Sequence, residues 1–154
     1  YGDHRDLHLS LRRQRQMCIR DSAETGSGKT AAFALPVLDA LFRDPFGVFA
    51  VCVAPSRELA AQLADQFAVF GARQRVRVAC VTGGVDGVAQ GLELANSRPH
   101  VVVGTPGRLA EFALDGSRPL KLGRVDEIIV DEADATAAAP FVDDLEAVLG
   151  AAPR

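Results

Sequence analysis

From residue 32 onward, two patterns alternate along the chain: apolar positions recurring at the helical period, and short continuous apolar runs. Ala32, Phe33, Val37, Leu41 and Phe42 place an apolar face on a helix, which Pro36 should kink because proline brings no backbone donor. Gly47 begins a new element. The run Val48-Phe49-Ala50-Val51-Cys52-Val53-Ala54 is of the kind buried on both faces of a parallel sheet. Pro55-Ser56 ends it, and Ser56 suits the N-cap of a helix carrying Leu59, Leu63, Phe67 and Phe70 up to a stop at Gly71. Val76 to Val81 reads as the next strand, and Gly83-Gly84 turns the chain into a helix with Val88, Leu92 and Ala95 on its apolar side. The cycle repeats with a strand at Val101-Val102-Val103, a turn at Gly104-Thr105-Pro106-Gly107 and a short helix from Arg108 to Leu114. Val125 to Val130 is the last strand. Pro140 can open the final helix, where Asp143, Asp144 and Glu146 favour its dipole. Repeated strand–helix units of this size predict an α/β fold, a parallel sheet covered by helices on both faces.

Composition adds bounds to this picture. A chain of 154 residues, 48% of them hydrophobic, suits one domain with a buried core. Its apolar runs are all shorter than a bilayer span, and no signal peptide is recognisable, so the chain reads as intracellular with no membrane partner. Three cysteines, Cys18, Cys52 and Cys80, have no paired spacing, and the last two fall in strand-like runs, which predicts buried thiols. His4, His8 and His100 share no ligand spacing with them, which argues against structural zinc. The net charge of −3 opposes a broad basic surface yet allows nucleic acid in a local groove. Residues 1–22 differ from the rest. They hold five Arg against three Asp and lack a sustained period. A basic arm for RNA is one reading of this segment; a disordered or non-native leader is the preferred one.

Candidate chemistry begins at Ala23-Glu24-Thr25-Gly26-Ser27-Gly28-Lys29-Thr30, which has the form of a phosphate-binding loop with Ala in place of the usual first Gly. The glycines let successive N–H groups turn inward on a polyphosphate, and the following helix adds its positive dipole end. Lys29 is placed to reach the β- and γ-phosphates of a nucleotide, and Thr30 to offer a hydroxyl to Mg²⁺. A Gly/Ser turn with an exposed lysine is the plainer alternative, disfavoured by the apolar helix that follows at once. Asp131-Glu132-Ala133-Asp134 comes directly after the apolar run Ile128-Ile129-Val130. Ligands of open α/β sheets sit beyond the carboxyl ends of the strands, so this cluster can reach the same crevice. There Asp131 would hold Mg²⁺, and Glu132 would orient or deprotonate an attacking water.

With these stretches, Pro55-Ser56-Arg57-Glu58-Leu59-Ala60, Gly83-Gly84 and Thr105-Pro106-Gly107-Arg108, the sequence resembles the DEAD-box RNA helicases in their first RecA-like domain, over residues 23 to about 149. The resemblance implies a RecA-like P-loop NTPase fold, ATP and Mg²⁺ as cofactors, and RNA as partner. By the same resemblance Arg57, Gly84, Thr105 and Arg108 face RNA and grip its sugar–phosphate backbone, with little sequence preference. It also implies ATP-dependent RNA unwinding or remodelling by two lobes, with Glu132 and Lys29 as catalytic residues. Gly83-Val85-Asp86 and Pro99 to Val103 look most like the nucleolar helicases of ribosome assembly, which implies a nuclear or nucleolar setting, with the cytoplasm as the alternative.

Departures from the family pattern matter as well. Ser56 stands where Thr is usual, which keeps the hydroxyl. The upstream aromatic residue, the segment whose glutamine reads adenine and the strand entering the phosphate loop have no recognisable counterpart in residues 1–22, and neither Gln14 nor Gln16 has the context to read adenine. Residues 23–154 therefore read as part of a helicase ATP-binding domain, ending before the family's Ser-Ala-Thr-like segment and the second RecA-like domain that completes the site. A nucleotide- and RNA-binding module without activity, or another P-loop ATPase, are the competing readings.

Overall fold

The computed structural model describes residues 28–45, 47–115, 119–137 and 140–153. Helix α1 spans Lys29–Leu41, strand β1 Ala50–Val53, and α2 Arg57–Gly71, which passes into a 3₁₀ turn at Ala72–Gln74. Strand β2 is Val78–Val81, α3 Gly87–Ser97, β3 Val101–Gly104 and α4 Pro106–Leu114. The chain continues through β4 at Glu127–Val130, the single turn α5 at Ala133–Thr136, and α6 at Val142–Ala151. All three strand pairings are parallel, in the order β2-β3-β1-β4.

Both faces of this sheet are covered, as the alternating pattern predicts. Ala50, Cys52, Val101 and Val103 point to one side, where they pack with Ala34, Leu38 and Leu41 of α1 and Leu63 and Phe67 of α2. Val51, Val53 and Val102 point to the other, against Leu94 of α3, Leu109 and Phe112 of α4, and Leu145 and Val148 of α6. Central β1 and β3 are buried at every position, which is why they read as unbroken apolar runs. Phe33 and Phe67 extend the first layer, their ring centroids 6.2 Å apart.

Several helix faces differ from the pattern reading. In α1 the buried stripe is Ala34, Val37, Leu38 and Leu41, while Ala32 and Phe42 are exposed. Pro36 lies on the exposed side and the helix runs through it. The larger correction concerns α3. Val88 and Leu92 are 75% and 61% exposed, Ala95 is exposed too, and Leu94 is the buried residue. Apolar period located the helix but named the wrong side, because α3 approaches its neighbours through small residues: Gly91 lies against Pro119 and Phe112.

The ends of elements follow local chemistry. Ser56 caps α2, its Oγ accepting from Leu59 N–H at 3.2 Å. Asp86 caps α3 by accepting from Val88 N–H at 2.9 Å. Pro106 occupies the first turn of α4, so that helix starts two residues earlier than its turn-like sequence suggests. α6 begins at Val142 rather than at Pro140, with Asp143 and Asp144 in its first turn as expected. Gly71 is needed for space rather than for its dihedral angles: a side chain there would meet Val76. The left-handed residue that ends the 3₁₀ turn is Arg75, at φ 56°. Cys52 is buried but Cys80 is exposed, since β1 lies inside the sheet and β2 at its edge.

Candidate functional site

Parallel strands in register bring the predicted motifs to one edge of the sheet. Val53 of β1 pairs with Gly104 of β3 and with Val130 of β4, and Val81 of β2 pairs with Gly104. The four segments that leave these strand ends are therefore level with one another. They carry Ser56-Arg57, Gly83-Gly84, Thr105 to Arg108, and Asp131-Glu132. Parallel topology alone achieves this, because every crossover returns the chain to the same end of the sheet.

Of the phosphate-loop motif, Ala23, Glu24, Thr25, Gly26 and Ser27 lie outside the described residues. Its last three are in place. Gly28 takes a left-handed conformation at φ 84°, which only glycine adopts at little cost, and from there Lys29 and Thr30 open α1. The Gly28 carbonyl accepts the first helical bond, from Ala32 N–H at 3.1 Å, so the amides ahead of Ala32 have no helical acceptor and face outward from the N-terminus. Together with the helix dipole, this is the local geometry that binds phosphate.

The acidic turn is anchored from below. Asp131 N–H donates to the Val53 carbonyl at 2.9 Å, which extends the β1–β4 ladder by one step. The Asp131 carbonyl accepts from the hydroxyl of fully buried Thr136 at 2.7 Å, and its Oδ1 accepts from Glu132 N–H at 3.0 Å. Glu132 itself has φ 46°, a conformation uncommon for a residue with a side chain, and its side chain is exposed. Such a backbone persists only where neighbours hold it, and here the Thr136 bond and the single turn α5 do so. Sequence reading identified Asp131 and Glu132 but missed Thr136; a threonine five residues on carries no periodic signal. Charge on Asp131 and, more strongly, burial push the Cys52 thiol far above its usual range, so Cys52 stays protonated beneath the site.

Arg57 and Arg108 both reach the turn that links β2 to α3. Arg57 is exposed at the start of α2 and makes no ion pair with Glu58 or any other described carboxylate. Its guanidinium lies against Gly84, which has φ 80°, and occupies the space where a β-carbon would stand. Arg108 is different. Its side chain is only 10% exposed: Nε pairs with Glu111 Oε2 at 3.2 Å, and Nη2 donates to the Val85 carbonyl at 3.0 Å. The guanidinium also lies 5.3 Å from the centre of the Phe112 ring. Thr105 is half-buried at the N-cap of α4, where its side chain makes no capping bond.

The two residues expected from the sequence to hold a metal, Thr30 and Asp131, would offer it oxygen donors, which suit a hard cation such as Mg²⁺. No cluster of His, Cys, Asp and Glu able to hold a metal by itself occurs among the described residues, and none of their helices is long and apolar enough to cross a membrane.

Comparison with known proteins gives one consistent result. The profile of the DEAD/DEAH box helicase family matches residues 8–154. The chain is 49% identical over 133 residues to DEAD-box ATP-dependent RNA helicase 36 of Oryza sativa subsp. japonica, covering 86% of this chain and 26% of that protein. It is 45% identical over 131 residues to ATP-dependent RNA helicase dbp8 of Schizosaccharomyces pombe, covering 84% of this chain and 28% of the relative. Among solved structures, Mss116p bound to single-stranded RNA and AMP-PNP superposes with a TM-score of 0.73 at 34% identity, over 84% of this chain and 27% of that one. A hypothetical ATP-dependent RNA helicase from Sulfolobus tokodaii gives 0.70 at 35% identity, over 83% of this chain and 36% of that one. The chain thus spans about a quarter to a third of these proteins. With a family match that runs through nearly all of its length, the chain belongs to the DEAD/DEAH box helicase family.

Proposed function

We propose that this chain is the ATP-binding portion of an ATP-dependent RNA helicase, with residues 23–154 forming part of its first RecA-like domain. The observation that carries the reading is the common level of the four motif-bearing segments at the carboxyl edge of the sheet. In this reading the phosphates of ATP rest on the N-terminus of α1, with Ala23 to Ser27 wrapping them and Lys29 neutralising the β- and γ-groups. Thr30 and Asp131 would hold Mg²⁺, which when bound offsets the charge that builds on the phosphates. Glu132, exposed beside Asp131, orients the attacking water and takes its proton. RNA lies across Arg57, Gly84, Thr105 and the start of α4, bound through its backbone.

A second RecA-like domain belongs to this scheme as partner, as the resemblance to the DEAD-box helicases implies. ATP closes the two lobes on RNA and hydrolysis releases it. The likeness of Gly83-Val85-Asp86 and Pro99 to Val103 to nucleolar helicases supports a nucleolar place of work. The test is ATP turnover with and without RNA, for the chain alone and joined to a second domain. RNA-stimulated hydrolysis is expected from the joined protein and almost none from the chain alone; robust stimulated turnover by the chain alone would defeat the account.

A further inference from the structure

The amino end of the sheet gathers unpaired positive charge on one side. The segments that enter β2 and β3, residues 72–77 and 95–100, hold Arg73, Arg75, Arg77 and Arg98 without any Asp or Glu, in a chain whose net charge is −3. All four arginines are exposed, and none is paired with a described carboxylate. In the segments that enter β1 and β4 the arrangement is the opposite: Arg43 pairs with Asp39 at 2.7 Å and Arg124 with Asp44 at 3.8 Å. The basic side is also held in shape. Arg77 Nε donates to the Arg98 carbonyl at 2.8 Å, which ties the two segments together, and Arg77 N–H donates to His100 Nδ1 at 3.2 Å. Arg75 and Arg98 hold left-handed backbones, at φ 56° and 45°, where glycine is the usual choice at a helix end. Helix C-termini favour a nearby cation, which accounts for one arginine at the end of α2 and one at the end of α3. It leaves the other two, and the lack of carboxylates, without a reason inside the fold.

We propose that Arg73, Arg75, Arg77 and Arg98 form a second RNA-phosphate surface, separate from the carboxyl edge and indifferent to base sequence. This rests on RNA being the partner, as read above. Strands of four residues put about 13 Å of sheet between the two ends, so the RNA bound here flanks the segment held at the carboxyl edge. An RNA backbone, with a charge at every nucleotide, suits exposed guanidinium groups spread along an edge. An acidic protein segment would be expected to bury a large apolar anchor among them, and the exposed residues next to them in the chain, Ala72, Gln74 and Ser97, offer none.

The test is the affinity of the full chain, and the salt dependence of that affinity, for fluorescent poly-uridine of about 30 nucleotides, long enough to engage both ends. Arg73→Gln, Arg75→Gln and Arg98→Gln together remove three charges and leave the bond from Arg77 to the Arg98 carbonyl in place. The slope of log affinity against log salt should shrink by about 0.7 per arginine, and affinity should fall about fivefold per arginine at about 0.1 M salt. Arg43→Gln with Arg124→Gln removes charges that already have carboxylate partners, and should leave the slope as it was. Arg57→Gln should lower the slope independently, its effect adding to that of the triple variant. An unchanged slope in the triple variant, or an equal loss per charge in the paired control, overturns the proposal; if Arg57→Gln still weakens binding, the RNA reading of the carboxyl edge survives. The reverse result, an effect of the triple variant and none of Arg57→Gln, defeats that reading and leaves the amino-end surface standing. RNA binding untouched by the triple variant, with binding to poly-aspartate lost, would give the surface to an acidic protein and overturn the proposal. No RNA binding by the unaltered chain overturns both.

Discussion

In the proposed site, Lys29 is the one side chain of the described phosphate-loop residues that would bring a mobile positive charge to the nucleotide, while the backbone amides at the start of α1 would bring fixed partial charge. Lys29→Ala is therefore expected to weaken Mg·ATP binding strongly with the fold intact, and calorimetry giving equal affinities would place the site elsewhere. Glu132 is proposed for the opposite role, in chemistry rather than in binding. In a protein joined to a second domain, Glu132→Gln should abolish RNA-stimulated hydrolysis and preserve ATP binding, since the amide keeps shape and loses basicity. Stimulated turnover at the original rate would remove Glu132 from the mechanism. Both residues could be read from sequence, because each belongs to a short motif with a chemical reason for its spacing. The left-handed backbone of Glu132 and its support from Thr136 could not, since they arise from a bond between a buried side chain and a carbonyl five positions earlier.

At the scale of elements, burial decides which apolar residues count. Phe67 of α2 is fully buried against the sheet, so Phe67→Ala should cost about 3–5 kcal/mol. Leu92 of α3, which has the same place in a helical pattern, is 61% exposed, and Leu92→Ala should stay within about 0.5 kcal/mol. Denaturant unfolding of the two variants checks the pair, and equal losses would mean that α3 packs by its other face. The amino edge of the sheet offers a pH test. His100 is buried at the start of β3, where Nδ1 accepts from Arg77 N–H at 3.2 Å. Burial, and secondarily the Arg77 charge, lower its pKa from 6.5. The folded state thus binds its proton less readily than the unfolded state does. Its contribution is complete above pH 6.5 and is lost as pH falls through the lowered folded value. Glu127 at the start of β4 is shifted up from 4.5 by burial and then by Asp126, so its own contribution is present at low pH and lost as pH rises through its raised folded value. Replacing histidine by a non-titrating acceptor isolates the first effect: thermal unfolding of His100→Asn should lose part of the slope seen below pH 6.5, and an unchanged slope would assign it to other groups.

For the whole molecule, the question is what reads the base. In the proposed site, contacts from Gly28, Lys29 and Thr30 would reach phosphates and Mg²⁺, which ATP and GTP share, and a site rejects the wrong base only where it hydrogen-bonds the base edge. Residues 1–22 contain no recognisable adenine-reading segment, so the chain is expected to bind ADP and GDP with similar, weak affinity, before and after removal of residues 1–20. Titration of both nucleotides into both forms decides this. A strong adenine preference that vanishes on trimming would make residues 1–20 a divergent adenine reader.

Sequence by itself determined the alternation of strands and helices, the parallel sheet buried on two faces and the motifs with their order, because each depends on local periodicity or on chemistry within a few residues. Ser56 as a cap, Gly28 to Thr30 at a helix start and Asp131-Glu132 beyond a strand end were all legible in this way. Tertiary structure alone decided which side of α3 is buried, that Cys80 on edge strand β2 is exposed, and that Arg108 turns inward to the Val85 carbonyl while Arg57 remains outside. Each of these depends on which distant element arrives next to it. Helical period is the same for a face covered by Gly91 and Leu94 as for one covered by Val88 and Leu92, and only the neighbour's approach distance chooses between them.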